Sequence, residues 1–386
     1  MDFDFTSEQK MVQETARRLM EREIIPLADE YDKAKALLDR QKLKALLDKL
    51  CPLGYLGNVI PEEYGGAGLE FVTFGILMEE LSRAYASLAG VILIQSASRE
   101  IYELGTEEQR RRFLPSLVSG EKILCTAITE PNVGSDNSSI ETLARKDGDD
   151  YVLNGTKIWI SSGSISDLAI VVAQTEKGAG PQGLCHIVVD RKESPYSTRE
   201  LPKLGLRSFP TSEVILEDCR VPKENILVAP GAGLKIILKL YEGARCMMAI
   251  GAVGMAQAAI DASVRYAKER VQFGKPIGSF QLIQKMIADM LAETEAARLL
   301  SYRAFSLLDR KVRCERESSL AKFYATEAAV RVTSLAIQIH GAYGLSEEYP
   351  VERYFRDARS FTIPDGTTQI QKLIVARNVL GIPAFR

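Results

Sequence analysis

The chain has 386 residues, 46% of them hydrophobic and 26% charged, enough for two or three domains with substantial cores, or one large one. Its 49 basic and 51 acidic residues leave a formal net charge of −2, which argues against a surface built to grip nucleic acid or an anionic membrane. Only two histidines, His186 and His340, occur and they lie far apart, so an HExxH zinc site is excluded, no metal site is expected, and no G-x-S-x-G elbow accompanies either.

The N-terminal MDFDFTSEQK is acidic and lacks an apolar core of the signal-peptide kind, and no stretch is read as approaching the ~18 apolar residues of a membrane span. The six cysteines form no C-x-x-C pair, which suits free thiols in a reducing compartment. A soluble, cytoplasmic chain without a transit peptide or membrane insertion is expected. The first domain, residues 1–121, reads as helix. Thr6-Ser7-Glu8-Gln9 is a capping-box pattern, after which Met11, Ala16, Leu19, Met20, Ile24 and Leu27 recur at helical spacing. A turn-rich patch from Pro61 to Gly68 interrupts before a second helical run through Phe74, Leu77 and Leu81. The apolar run Leu88 to Ile94 reads as core, with the option of lining a pocket, and Arg99 beside it reads equally as a surface cation or a carboxylate partner.

Residues 122–230 change texture. Short β-rich runs such as Lys157-Ile158-Trp159-Ile160, Leu168 to Val172 and His186 to Val189 alternate with Gly, Asp, Asn, Ser and Pro clusters, predicting a small all-β domain. Gly178 to Gly183 fits G-x-G-x-x-G, but it lies between two strand-like runs with no helix to follow, so a hairpin connection is expected instead of a dinucleotide loop. Residues 231–386 return to helical periodicity, with runs at about 233–271, 279–310, 316–342 and 367–381. The small residues of Ala249 to Ala256 would let one of these helices approach its neighbours closely. The fold class is therefore mainly α with a central all-β domain.

Two polar constellations stand out in the β region, Thr129-Glu130-Pro131 with Gly134-Ser135-Asp136, and Asn154-Gly155 with Lys157 and Trp159-Ile160-Ser161. Hydroxyls beside free amides can bond the heteroatoms of a ring system and Trp159 can lie against it; two polar turns around a core tryptophan is the plainer alternative. Further on come Arg270-Val271-Gln272-Phe273-Gly274, Gln281, Gln338-Ile339-His340-Gly341, Glu348-Tyr349-Pro350-Val351-Glu352-Arg353 and Gly366-Thr367 with Gln369-Ile370-Gln371. In this order and spacing, the series resembles the acyl-CoA dehydrogenase family along essentially the whole chain.

That resemblance implies an N-terminal helical domain, a middle β-barrel-like domain and a C-terminal four-helix bundle. It also implies tightly bound FAD, a homotetramer built as a dimer of dimers, an acyl-CoA substrate, and an electron-transferring flavoprotein as electron acceptor. By the same resemblance Thr126, Ile128, Thr129, Ser135, Trp159, Ile160, Ser161, Thr367 and Gln369 would stand beside the flavin. Arg270, Gln272, Phe273, Gln281, Gln338 and Gly341 would meet an FAD shared across a subunit contact. Arg270 offers a planar fork for pyrophosphate and Phe273 a flat apolar wall, the alternatives being a helix-end cation and a core residue. Ser135, Glu242, Arg245, Gly366 and Arg377 resemble substrate-side contacts, with ion pairs or capping charges as the alternative for Glu242 and Arg245.

Some relatives carry the catalytic carboxylate on the helix of Glu242 and Arg245, but Gly243 and Ala244 have none to offer here. The base is expected at Asp365, where most relatives have Glu. A carboxylate can take a proton α to a thioester carbonyl while hydride leaves the β-carbon for the flavin. Asp is shorter by roughly 1 Å of reach, a displacement that can cost ~10²-fold unless the substrate compensates. Three consequences are open: a branched or alicyclic acyl group, an acyl group carried on a carrier protein, or dehydrogenation that is slow or directed elsewhere on the acyl chain. Pro364-Asp365-Gly366 is also a turn sequence, and Asp365 is placed where it could cap the last helix. The expected reaction is α,β-dehydrogenation of an acyl-CoA. The alternatives are an enoyl-thioester reductase or acyl-carrier-protein-linked dehydrogenase of the same fold, and a non-catalytic flavin-binding or assembly module.

Overall fold

In the computed structural model, which describes residues 4–384, Thr6 and Gln9 form the reciprocal capping box that opens the first helix. The ends of the first and third expected domains, residues 1–3 and 385–386, lie outside the described residues. Seven helices follow in the first part: α1 (Ser7–Leu19), α2 (Ile25–Lys33), α3 (Arg40–Leu50), α4 (Phe71–Ala84), α5 (Ala86–Gln95), α6 (Ser98–Leu104) and α7 (Glu107–Val118). A π-helical turn, Met20–Ile24, joins α1 to α2 within the predicted helical run.

The middle of the chain forms one mixed sheet of β1 (Leu124–Ala127), β2 (Leu143–Asp147), β3 (Asp150–Ser161), β4 (Leu168–Gln174), β5 (Leu184–Asp190), β6 (Ser197–Glu200), β7 (Thr211–Pro222) and β8 (Ile226–Val228). The strand order is β6-β7-β3-β2-β4-β5-β8, with β1 parallel to β4. Strands β4 and β5 are buried along their whole length, because both faces of the sheet are covered. On one face Cys125, Leu153, Ile187 and Val214 form the β core, while Ile170 and Val188 on the other meet Phe113, Leu114 and Leu117 of α7. Gly178 to Gly183 lies in the hairpin connection between β4 and β5, as expected, and leads into a strand.

The C-terminal part comprises α8 (Gly233–Glu269), the hairpin β9 (Val271–Gln272) and β10 (Lys275–Pro276), α9 (Gln281–Asp309), α10 (Glu315–His340), α11 (Val351–Phe361) and α12 (Thr368–Leu380). Helices α8, α9 and α10 pack on one another, α12 packs on α10, and α4 of the first part lies across α8. The small-residue stretch of α8 makes that crossing possible: a Cβ on Gly254 would stand 2.4 Å from the Glu79 carbonyl oxygen. One reading is corrected here. Over Leu238–Glu269, α8 is long and apolar enough to cross a membrane by composition, yet 83% of its most apolar window is buried inside the protein, where it serves as the central core helix.

Helix α11 is not predicted by apolar periodicity. The face it buries mixes charge with apolar residues: Arg353, Arg356 and Asp357 are inside beside Val351, Ala358 and Phe361. Arg353 pairs with Asp29, and Arg356 bonds Asp32 of α2 at 2.6 Å and Glu352 at 2.6 and 2.8 Å. Asp357 accepts the Leu206 backbone N–H at 2.5 Å. A buried charge must be paired and hydrogen-bonded, so this helix is fixed by partners from the first and middle parts of the chain.

Candidate active site

A cleft of about 830 Å³, its open mouth included, lies where α5, α6 and α8 meet β1, β5 and the loop before α12. Its walls are largely apolar, with Phe71, Phe74, Leu93, Ile94 and Met247, so the end of the apolar run on α5 does face a pocket while Leu88 to Ile92 are core. Among the expected site residues, Thr126, Ile128 and Asp365 line this cleft.

Asp365 sits in the loop between α11 and α12 with φ +54, a left-handed conformation that Asp tolerates better than most residues. The loop is held from below. Lys322, fully buried in α10, donates Nζ to the Gly366 carbonyl at 2.8 Å, and Gln371 donates Nε2 to the carbonyls of Asp365 and Gly366 at 2.9 and 3.1 Å. The helix-capping role considered for Asp365 belongs to Thr367, whose side chain accepts from the Ile370 N–H at 3.3 Å. The Asp365 carboxylate makes no hydrogen bond among the described residues and is left for the cleft. Burial raises its pKa, opposed by the positive charges of Lys322 and Arg245. The same burial pushes the Lys322 ammonium down to about 8, against the pull of Asp365.

Arg245 and Glu242, one turn apart on α8, are both buried. Glu242 is occupied by the α9–α10 connection, accepting from Arg313 Nε at 2.6 Å and from the Cys314 N–H at 3.1 Å, so its oxygens brace the fold. Arg245 differs. Its Nε and Nη1 have no partner, burial pulls its pKa down, and its guanidinium lies 5.9 Å from the Tyr241 ring, which also lines the cleft. An unpaired buried guanidinium is costly, which fits a group kept to meet a ligand. Arg377 is exposed and paired with Glu315 at 2.7 Å, and Ser135 is exposed in the loop after β1.

The segment expected against the flavin is positioned by a buried ion pair. Lys157 on β3, fully buried, donates to Glu130 at 2.7 Å and to the Ile128 carbonyl at 3.0 Å, while Glu130 also accepts from the backbone of Glu141 and Thr142. These bonds hold Ile128, Thr129 and Glu130 beside β3. Trp159 projects from a β-bulge with φ +61 and is 56% exposed, which removes the core-tryptophan alternative. Ile160 points instead into the β core, and Ser161 is half-buried at the strand end.

Arg270, Gln272, Phe273, Gln281, Gln338 and Gly341 do not line the cleft. They are exposed around the β9–β10 hairpin and the turn after α10, where the Arg270 guanidinium lies 5.9 Å from the Tyr343 ring. Phe273, at the hairpin tip with φ +50, is 94% exposed, so its core alternative is also removed. Solvent-facing aromatics at both places, with an open-space Gly341, fit a planar, extended cofactor such as FAD. Thr367 and Gln369 lie at the start of α12, the latter exposed.

Sequence reading missed Lys322, Gln371, Glu100 and His186. Lys322 had a signal: with Ser318, Ala325, Ala329 and Val332 it occupies one helical face, a charge in an otherwise buried stripe. The others converge only through the fold.

Family models described as the acyl-CoA dehydrogenase N-terminal, middle and C-terminal domains match residues 6–121, 125–219 and 231–380. The chain is 38% identical to a glutaryl-CoA dehydrogenase of Desulfococcus multivorans, covering 99% of each chain. It is 39% identical to the subunit CarC of a caffeyl-CoA reductase–Etf complex of Acetobacterium woodii, over 97% of this chain and 99% of that one. The solved butyryl-CoA dehydrogenase of Megasphaera elsdenii superposes with a TM-score of 0.94 at 35% identity, over 98% of this chain and all of the other.

Proposed function

The chain belongs to the acyl-CoA dehydrogenase family of FAD-dependent oxidoreductases, and from that premise we propose that it interconverts an acyl-CoA and its α,β-unsaturated form with Asp365 as the base. The observation that carries this reading is a carboxylate without internal partners on the wall of a largely apolar cleft, on a loop pinned from both sides. Asp365 takes the proton from the substrate α-carbon. FAD, when bound, supplies the acceptor for the hydride of the β-carbon. The apolar walls exclude water, which strengthens each charge interaction inside, and Lys322 and Arg245 oppose the upward push of burial on the Asp365 pKa. Thr126 and Thr129 place hydroxyls, and the bulge at Trp159 a ring, along the flavin face; Arg270, Gln272, Phe273, Gln281, Gln338 and Gly341 take the rest of FAD from a neighbouring subunit of a homotetramer. Arg245, Ser135, Gly366 and Arg377 serve the thioester arm.

A short carboxylate favours a branched or alicyclic acyl group, whose α-carbon can sit nearer the base. Electrons pass to or from an electron-transferring flavoprotein. The resemblance to CarC supports a second, reductive direction for the same site. Replacing Asp365 with Asn keeps the shape and removes the base. FAD should stay bound while flavin bleaching by acyl-CoA falls by at least about a thousandfold, within the range expected for a general base. Undiminished bleaching would remove Asp365 from this role. A panel of saturated and unsaturated thioesters, followed at the flavin band, separates the two directions.

A further inference from the structure

Among the polar groups of the cleft, Arg99 and Glu100 on α6 and His186 on β5 have no part in proton abstraction. The His186 ring is buried, and its Nδ1 is hydrogen-bonded to the Glu100 carboxylate. With Nδ1 engaged by Glu100, Nε2 is the ring nitrogen left to meet a ligand. That Nε2 is buried and has no partner. Arg99 is held just before Glu100 in the same wall. Its Nε is ion-paired with Glu103 at 2.9 Å, its guanidinium lies 5.2 Å from the Phe71 ring, and its side chain is 14% exposed. A Cβ at Gly243 would stand 2.6 Å from Arg99 Nη1, so the glycine on α8 is what lets the guanidinium lie there.

An unpartnered ring nitrogen and a fork of N–H groups thus stand on either side of Glu100 in the chain's largely apolar cleft. From this we infer that the acyl group of the substrate carries a hydroxyl, which pairs with His186 Nε2 and accepts from Arg99. A hydroxyl is the small neutral group that does both. A carboxylate fits less well, because Arg99 is already paired with Glu103 and His186 with Glu100, so a further negative charge would enter a low-dielectric wall unbalanced. The inference rests on the reading of the cleft as an acyl-thioester site, and gives that site its substrate class, a hydroxylated acyl-CoA.

The test uses the full-length FAD-loaded protein and matched thioesters: cyclohexanecarboxyl-CoA against its 3- and 4-hydroxy forms, butyryl-CoA against 4-hydroxybutyryl-CoA, and glutaryl-CoA as the acidic control. Calorimetry gives each Kd, and flavin bleaching is recorded separately. At one or more hydroxyl positions binding should exceed that of the unsubstituted parent by about tenfold, equivalent to about 1.4 kcal/mol. In Arg99→Met and in His186→Phe that ratio should fall to within about threefold, since each removes one side of the pair. Equal binding of every hydroxylated thioester and its parent overturns the inference, as does tightest binding of glutaryl-CoA, or retention of the ratio in both variants. If no thioester bleaches the flavin, the redox reading fails on its own, while the calorimetric ratios still judge the hydroxyl.

Discussion

Asp365 shows how much a single residue owes to its surroundings. Its side chain is short, its backbone is left-handed, and burial raises its pKa; Lys322 and Arg245 oppose that rise. Lys322 also grips the carbonyl of the next residue, so one ammonium controls both the position and the charge of the carboxylate. In Lys322→Met the Asp365 pKa should rise further. A base must be ionised to act, so the acid limb of the pH profile for flavin bleaching should move to higher pH by about one unit, the scale of a close charge partner. An unmoved limb would reduce Lys322 to packing. Lys157 plays a comparable part under the flavin-facing segment, where its buried pair with Glu130 explains why both residues occur in the motif without touching solvent.

Among the elements, α11 joins the parts of the chain through charge. Asp357 bonds the loop after β6 while Arg353 and Arg356 reach α2. Burial pushes the Asp357 carboxyl up to about 6 from its ordinary 3.8. Between about pH 4 and pH 6 the folded chain therefore holds more protons at this site than the unfolded chain, and the contribution of this group to stability falls as pH rises, levelling off above 6. The loss is on the order of 3 kcal/mol at most. Asp357→Asn keeps an acceptor for Leu206, so urea unfolding from pH 4 to pH 7 should show this downward component removed in the variant. Identical slopes in the two proteins would show that Asp357 does not titrate in this range. The same charges explain why apolar periodicity overlooked the helix. The β4 and β5 runs were legible for the opposite reason, since strands covered on both faces are apolar throughout.

At the scale of the whole molecule, the exposed aromatics mark two regions of the proposed cofactor site. Trp159 borders one region and Phe273 the other, and a homotetramer that shares FAD would cover the second. Phe273→Ser removes a side chain that is 94% exposed and so does not threaten the fold of the subunit. The variant should lose FAD on gel filtration, with the ratio of flavin to protein absorbance falling at least about threefold, and light scattering should report smaller assemblies, as expected for truncating an aromatic anchor. Full flavin content and unchanged mass would place the cofactor contact elsewhere.

The order helix, sheet, helix was readable because periods of 3.6 and 2 are local properties, and the motif series was readable because backbone-specific turns need particular residues. The candidate base was also legible, as a carboxylate in a fixed motif position. Local pattern could not say which of several polar residues face one another. Thr367, not Asp365, caps α12 because the φ of Asp365 turns it out of line with the helix, and Glu242 braces a connection because α9 ends beside it. Arg99, Glu100 and His186 come from α6 and β5, more than eighty residues apart in the chain, and only their packing around the cleft makes them a group. The sequence by itself thus determined the element order, the family and the carboxylate. Tertiary structure alone decided what surrounds that carboxylate, because burial and charge pairing are set by contacts between residues distant along the chain.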